Sequence, residues 1–173
     1  MTAPARLHLG FLDLNGGLGR RFGSLGITLE APTTRLVLTA AAQESVRGPD
    51  AARARPLLAR ATAAEGLATP LALTIVEAIP AHAGLGSGTQ LALAIAAAAA
   101  RLAGHPAEAA RLAAGLDRGA RSGIGIAAFA AGGVILDGGR GPATEVPPVI
   151  ARLAFPPAWR ILLLADPAAE GLS

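Results

Sequence analysis

The chain has 173 residues, of which 52% are hydrophobic, 16% charged and 3% aromatic, and its net charge is +3. All fifteen basic residues are Arg, and Lys, Cys and Tyr are absent. That excludes disulfides, thiolate nucleophiles, Cys-ligated zinc, Schiff-base lysine and the phosphate loop that ends in Gly-Lys-Ser/Thr.

The isoelectric point near 11.2 is no nucleic-acid signature. Almost nothing titrates between His and Arg, the arginines form no runs beyond Arg20-Arg21, and aromatic surface for base stacking is scarce. No nucleic-acid partner is expected. Residues 1–6 do not read as a signal peptide, and the longest apolar run, 91–100, is half the roughly 20 residues a membrane-spanning helix needs. A cytoplasmic protein without a membrane partner is expected, and the length suits one domain.

In chain order, residues 6–14 alternate loosely as a strand, with Leu7, Leu9 and Phe11 on one face and His8 on the other. Residues 15–19, Asn-Gly-Gly-Leu-Gly, form a turn. Strands follow at 24–30 and 34–39, split by Ala31-Pro32, and then a polar loop at 43–52. A helix is predicted over 56–65, with Pro56 in its first turn and Gly66 as its stop. A strand over 71–79 ends at Pro80. Helices are predicted at 89–103, apolar nearly all round and therefore buried, and at 106–116. A glycine-rich turn at 117–125 leads to a short helix at 126–131. Strands at 133–137 and 159–165 flank a Pro-rich surface connection at 142–157. Strands first, then a βαα unit, indicate an α+β domain. The chain stops soon after a buried-type strand, so a continuation is expected.

Gly84, Gly86 and Gly88 alternate directly before the long helix. Glycine lets backbone approach a ligand, and the helix start offers unpaired N–H groups and the positive end of its dipole. Such a turn binds phosphate or pyrophosphate, with Ser87, Thr89 and Gln90 as further donors. It also serves as a plain connector with Ser87 or Thr89 as N-cap. It is neither a Rossmann fingerprint nor a nucleophile elbow, since Thr89 and Leu85 stand where those motifs need glycine.

Three ordered stretches carry a resemblance. Pro80-x-x-x-Gly84-Leu-Gly-Ser-Gly88 resembles the phosphate loop of the GHMP superfamily (galactokinase, homoserine kinase, mevalonate kinase and relatives). Pro4-Ala-Arg6-Leu-His8-Leu-Gly10 is similar to its opening strand. The stretch from Arg121 through Ser122-Gly-Ile-Gly125 to Gly132-Gly133 resembles the kinases' Ser-Gly-Ile/Val-Asp segment. Where the kinases carry the Asp proposed as catalytic base, this chain has Gly125. Within the superfamily, the stretches at 6–23, 84–94 and 122–138 are similar to the ribofuranosylphenol and ribofuranosylaminobenzene 5'-phosphate synthases.

The resemblance implies a GHMP-type N-terminal domain over residues 1–173, with the C-terminal domain of these roughly 300-residue proteins outside the chain. It implies a decarboxylating ribosyl transfer in tetrahydromethanopterin synthesis. Phosphoribosyl pyrophosphate and 4-hydroxybenzoate or 4-aminobenzoate would give a C-riboside 5'-phosphate, CO₂ and pyrophosphate. Mg²⁺ would arrive with the pyrophosphate, because no His, Asp and Glu set has the spacing of a metal site. Dimers are common in the superfamily, so a homodimer is expected.

Candidate catalytic residues are Asp13, Arg20 and His8. Asp13 offers acid/base chemistry or orients Arg20, against turn capping; Arg20 offers a bidentate phosphate fork, against a solvated hairpin end; His8 is an acid/base or a structural strand residue. Gly84, Gly86, Ser87, Gly88, Thr89 and Gln90 are candidates for phosphate, and Asn15, Arg21, Arg121 and Ser122 for substrate. His82 lies near the anion, His105 reads as a helix cap and Asp137 as turn chemistry. The alternatives are a GHMP-type kinase and a domain that holds a phosphorylated ligand without turnover.

Overall fold

The computed structural model describes residues 1–17, 19–116 and 122–164. It is an α+β domain with the element order β1 (Thr2–Phe11), β2 (Ser24–Ala40), β3 (Ser45–Arg47), α1 (Ala51–Ala64), β4 (Leu71–Glu77), α2 (Ser87–Leu102), α3 (Ala109–Ala114), α4 (Ile124–Ala130), β5 (Val134–Asp137) and β6 (Val149–Leu153). The sheet runs β3-β4-β2-β5-β6, with β1 also on β2. Only the β3–β4 pair is parallel, so the sheet is mixed.

β2 does not break at Ala31-Pro32. β1 pairs with both of its halves, Thr2 to Pro4 opposite Thr33 to Arg35 and Arg6 to Phe11 opposite Ser24 to Thr28. Tertiary pairing overrides the local turn signal. β3 lies in the segment read as a polar loop; it is too short to alternate, and only Val46 within it is buried. β6 lies inside the Pro-rich connection, and its outward residues hid it from a burial pattern. It occupies the edge of β5. The strand expected at 159–165 is therefore not formed over 159–164, where Leu162 and Leu164 stand 81% and 89% exposed; residue 165 lies outside the described residues.

α1 starts five residues before Pro56, capped by the carbonyl of Asp50 on the amide of Ala54 at 3.0 Å. α2 is buried from residue 91 through residue 100. It packs on β1 and β2 on one side and on α1, α3 and α4 on others. Alanine on nearly every face lets these neighbours approach closely, and Leu91, Leu93 and Ile95 fill the remaining space. α4 sits directly on the β1–β2 pair. A Cβ on Gly26 would lie 2.2 Å from Ile124 Cγ2 and 2.8 Å from the Leu7 carbonyl oxygen, so only glycine admits the helix there. This contact brings the start of α4 beside the start of α2.

His105 is not a helix cap. Its Nδ1 lies 2.7 Å from Glu65 Oε2, and Arg111 Nη2 lies 3.0 Å from Glu65 Oε1. The three side chains tie the end of α1 to α3 and the loop before it. Burial works to raise the Glu65 carboxyl, but hydrogen bonds from His105 and Arg111 outweigh it and hold it below its ordinary value. No helix among the described residues is long and apolar enough to cross a membrane.

Candidate functional site

The chain from Pro80 to the start of α2 turns through three left-handed residues, His82 (φ 59°), Gly84 (φ 72°) and Gly86 (φ 81°). Gly86 is the N-cap of α2, and neither Ser87 nor Thr89 caps it with a side chain. The Gly86 carbonyl accepts from the amides of Thr89 and Gln90, each at 3.1 Å, while among the described residues no acceptor meets the amides of Ser87 and Gly88. The helix start is therefore open, with a buried hydroxyl, Ser87, beside it. That geometry can serve as an anion cradle, and it lacks the side-chain cap of a plain connector.

Two guanidinium groups flank it. Arg6 Nη1 donates to the Gly84 carbonyl at 2.7 Å, and the Arg6 amide donates to the Leu85 carbonyl at 3.1 Å. A Cβ on Gly86 would lie 3.1 Å from Arg6 Nε and Cζ, so the loop's glycine is what lets the guanidinium lie against it. Burial lowers the pKa of Arg6 from its ordinary value, and among the described residues no carboxylate pairs with it. An unpaired, desolvated cation beside free amides favours an incoming anion. On the other side, Arg53 Nη1 pairs with Asp50 at 2.9 Å, and its Nη2 lies 3.5 Å from Ser87 Oγ.

His8 follows Arg6 on the same strand face. Its Nε2 is buried and has no partner among the described residues, and its ring lies 4.6 Å from that of Phe11. Burial lowers its pKa, the charge of Arg6 adds to this, and Asp137 opposes it. The imidazole is thus held neutral, as a proton acceptor must be. Gln90 is fully buried; its Nε2 donates to the Gly125 carbonyl at 2.8 Å and its Oε1 has no partner among the described residues. In this geometry Gln90 ties α2 to α4, with one of its two amide N–H groups occupied. A Cβ on Gly125 would lie 3.2 Å from Thr89 Cγ2 and 3.9 Å from Gln90 Nε2. Position 125 therefore faces the cradle, and there it has no side chain.

Asp137 is 1% exposed. Its Oδ2 accepts from Ser24 Oγ (2.5 Å), Ser122 Oγ (3.0 Å) and the Gly123 amide (2.9 Å). Its Oδ1 accepts from the amides of Ser24 (3.2 Å) and Gly139 (2.9 Å). The bond to Gly139 is turn chemistry, and the other four go beyond it.

The remaining predicted residues form a second group at the turn between β1 and β2. Asp13 Oδ1 accepts from the Gly16 amide at 2.8 Å and Asn15 Oδ1 from the Gly17 amide at 2.9 Å, so both shape the turn. Arg20 donates from Nε to the Gly138 carbonyl (2.8 Å) and from Nη2 to the Gly139 carbonyl (2.9 Å) and Thr144 Oγ1 (3.2 Å). It lines a cavity of about 540 Å³ together with Arg111 and Thr144. Arg21 exchanges backbone hydrogen bonds with Arg140, and its side chain lies over Gly16. Arg121 lies outside the described residues. His82 is exposed on the loop. Among the described residues no three His, Asp or Glu side chains gather as a metal cluster would require.

The motif reading passed over Arg6, Arg53, Ser24 and the full set of Asp137 donors. Arg6 stood within the opening-strand motif, two residues from His8, which was the available signal. Arg53 and Ser24 join the site only through tertiary packing.

Open amides, a glycine loop of left-handed residues and an apolar helix beneath it fit a GHMP-type N-terminal fold. Residues 51–133 match the family described as GHMP kinases N terminal domain. A solved 4-(cytidine 5'-diphospho)-2C-methyl-D-erythritol kinase shares the fold with a TM-score of 0.59 at 23% identity, over 94% of this chain and 60% of that one.

Among curated proteins, the chain is 34% identical over 175 residues to the β-ribofuranosylphenol 5'-phosphate synthase of Archaeoglobus fulgidus. It is 36% identical over 185 residues to the synthase of the same name from Methanothermobacter thermautotrophicus. Both matches take in 94% of this chain and 56% of the relative. The chain thus spans about half the length of the curated relatives it matches.

Proposed function

We propose that this domain belongs to a decarboxylating phosphoribosyl transferase and holds the diphosphate of phosphoribosyl pyrophosphate at the start of α2. The observation that carries this reading is the pairing of Arg6, half-buried and without a carboxylate partner among the described residues, with the open amides of Ser87 and Gly88, across from a position 125 without a carboxylate. The names of the curated relatives support the reaction class.

The bond between the anomeric carbon and pyrophosphate breaks, and its electron pair leaves with the pyrophosphate. Amides and guanidinium stabilise the developing charge. The ring carbon that bears the carboxylate attacks the oxocarbenium-like centre. The ring–carboxylate bond then breaks to release CO₂, and its electrons restore the aromatic ring. His8, neutral and with Nε2 unpartnered among the described residues, takes the proton of the para hydroxyl or amine as positive charge builds on the ring and returns it to that oxygen or nitrogen when the ring–carboxylate bond breaks. Mg²⁺ enters as the counter-ion of the diphosphate, part of the substrate. Gln90 links the cradle to α4. Arg20 has Nη1 left for a ligand, while Asp13, Asn15 and Arg21 hold the turn that carries it.

The test is release of labelled CO₂ from carboxyl-labelled 4-hydroxybenzoate or 4-aminobenzoate with phosphoribosyl pyrophosphate and Mg²⁺, beside an ATP assay with candidate alcohols. CO₂ and pyrophosphate in equal amounts support the reading. ATP-dependent phosphorylation of a hydroxyl contradicts it. Tight binding without CO₂ favours the second reading, a domain that holds the ligand without turnover.

A further inference from the structure

We infer that Asp137 is a positioning residue: one buried carboxylate fixes the start of α4, the start of β2 and the turn that receives Arg20. The inference rests on the proposed function only where Arg20 is taken to meet the substrate.

An ionised carboxylate has about four lone-pair sites. Five donors from three elements converge on Asp137: Ser24 N and Oγ from β2, Ser122 Oγ and Gly123 N at α4, and Gly139 N in the following turn. No lone pair is left for a substrate proton, so Asp137 does not replace the base missing at position 125. A turn alone would need one of these bonds. Among the described residues no cation pairs with Asp137, so the neutral donors carry the whole burden of a buried charge.

The two oxygens serve different ends of the site. Oδ2 holds Gly123, two residues from Gly125, which contacts Gln90 and Thr89. Oδ1 holds Gly139, whose carbonyl, with that of Gly138, receives Arg20. The carboxylate is thus the joint between the glycine-loop group and the Arg20 group. An amide cannot serve both ends. Its oxygen satisfies one set, and its NH₂ then points at backbone N–H groups that cannot rotate away, unlike the serine hydroxyls.

The test compares the full chain with Asp137→Asn by hydrogen exchange of the Arg20 Nε–H and of the Gly123 and Gly139 amides, with phosphoribosyl pyrophosphate affinity measured alongside. In a folded Asp137→Asn, exchange at Gly123, or at Gly139 together with Arg20 Nε, quickens by about tenfold or more, the loss of one charge-assisted hydrogen bond. Affinity falls by a similar factor, and adding Arg20→Ala to Asp137→Asn costs less than Arg20→Ala costs alone. Unchanged exchange at all three groups, or losses that simply multiply, overturns the inference. Should Asp137→Asn fail to fold, Ser122→Ala with Ser24→Ala weakens the Oδ2 side only; Gly123 exchange must then rise while Gly139 stays protected, and equal protection at both overturns it. A wild-type chain that binds no phosphoribosyl pyrophosphate defeats the functional reading, while the exchange pattern still decides the role of Asp137.

Discussion

Replacing Arg6 separates a binding cation from a structural one. The guanidinium makes one hydrogen bond from its side chain to the protein, Nη1 to the Gly84 carbonyl at 2.7 Å, which leaves Nε and Nη2 for a ligand. A hydrogen bond between charged groups contributes about 1.5–3 kcal/mol. Two such bonds to a phosphate, partly offset by the freedom of a shorter side chain, make Arg6→Ala cost about 3 kcal/mol of binding. That is roughly a hundredfold in Kd. Stability should respond much less. The variant loses the bond to Gly84, but it also relieves the burial of an unpaired cation, so the net change is within about 1 kcal/mol. Arg6→Lys keeps the charge without the planar fork and falls between, at about tenfold in Kd. Titration calorimetry with phosphoribosyl pyrophosphate at fixed ionic strength, beside urea unfolding, measures both quantities. If Arg6→Ala binds as tightly as the wild type, or if its binding loss matches its loss of stability, Arg6 is a structural strut and the reasoning fails.

Gly125→Asp places its Cβ 3.2 Å from Thr89 Cγ2; a shift of a few tenths of an ångström accommodates it at about 1 kcal/mol. The new carboxylate repels the diphosphate, so calorimetry should show affinity falling well beyond the change in thermal stability, and unchanged affinity would place position 125 away from the ligand. His8 has a folded pKa below its ordinary 6.5, so the unfolded chain takes up the proton first as pH falls through that value. Wild-type stability therefore declines more steeply than that of His8→Gln below pH 6.5, measured by urea unfolding across pH; parallel curves contradict the burial of His8. Glu65 is held below its ordinary 4.5. Its contribution is complete above that value and is lost as pH falls through the folded pKa, so the stability gap between wild type and Glu65→Gln closes only below about pH 4.5. A gap that closes near neutrality would contradict this assignment.

Much of the fold was legible because its long elements carry strong local signals. The apolar run at 91–100 could only be a buried helix, and Gly84, Gly86 and Gly88 marked the loop before it. The misses have tertiary causes. Three-residue β3 exists because β4 offers it a parallel edge, and β6 faces outward and pairs β5 where prolines suggested a connection. The apolar stretch at 159–164 read as a strand, but β6 holds the edge it would need.

Half of the site was readable in the same way. Glycine spacing pointed to the cradle, and the strand motif brought His8 to it. Asp13, Asn15 and Arg20 were read for their chemistry, yet here Asp13 and Asn15 accept backbone amides and Arg20 donates to carbonyls. Side-chain type alone does not distinguish a ligand group from one that shapes a turn. The five bonds of Asp137 were invisible because they join residues up to 113 positions apart.

The central claim is that a diphosphate seats on the free amides at the start of α2. Amide chemical-shift mapping during titration with pyrophosphate and with phosphoribosyl pyrophosphate tests it most directly. The largest, saturable shifts are expected at Ser87 and Gly88, accompanied by the Arg6 side chain and lost in Arg6→Ala. Shifts that leave Ser87 and Gly88 unmoved while another region saturates would contradict it.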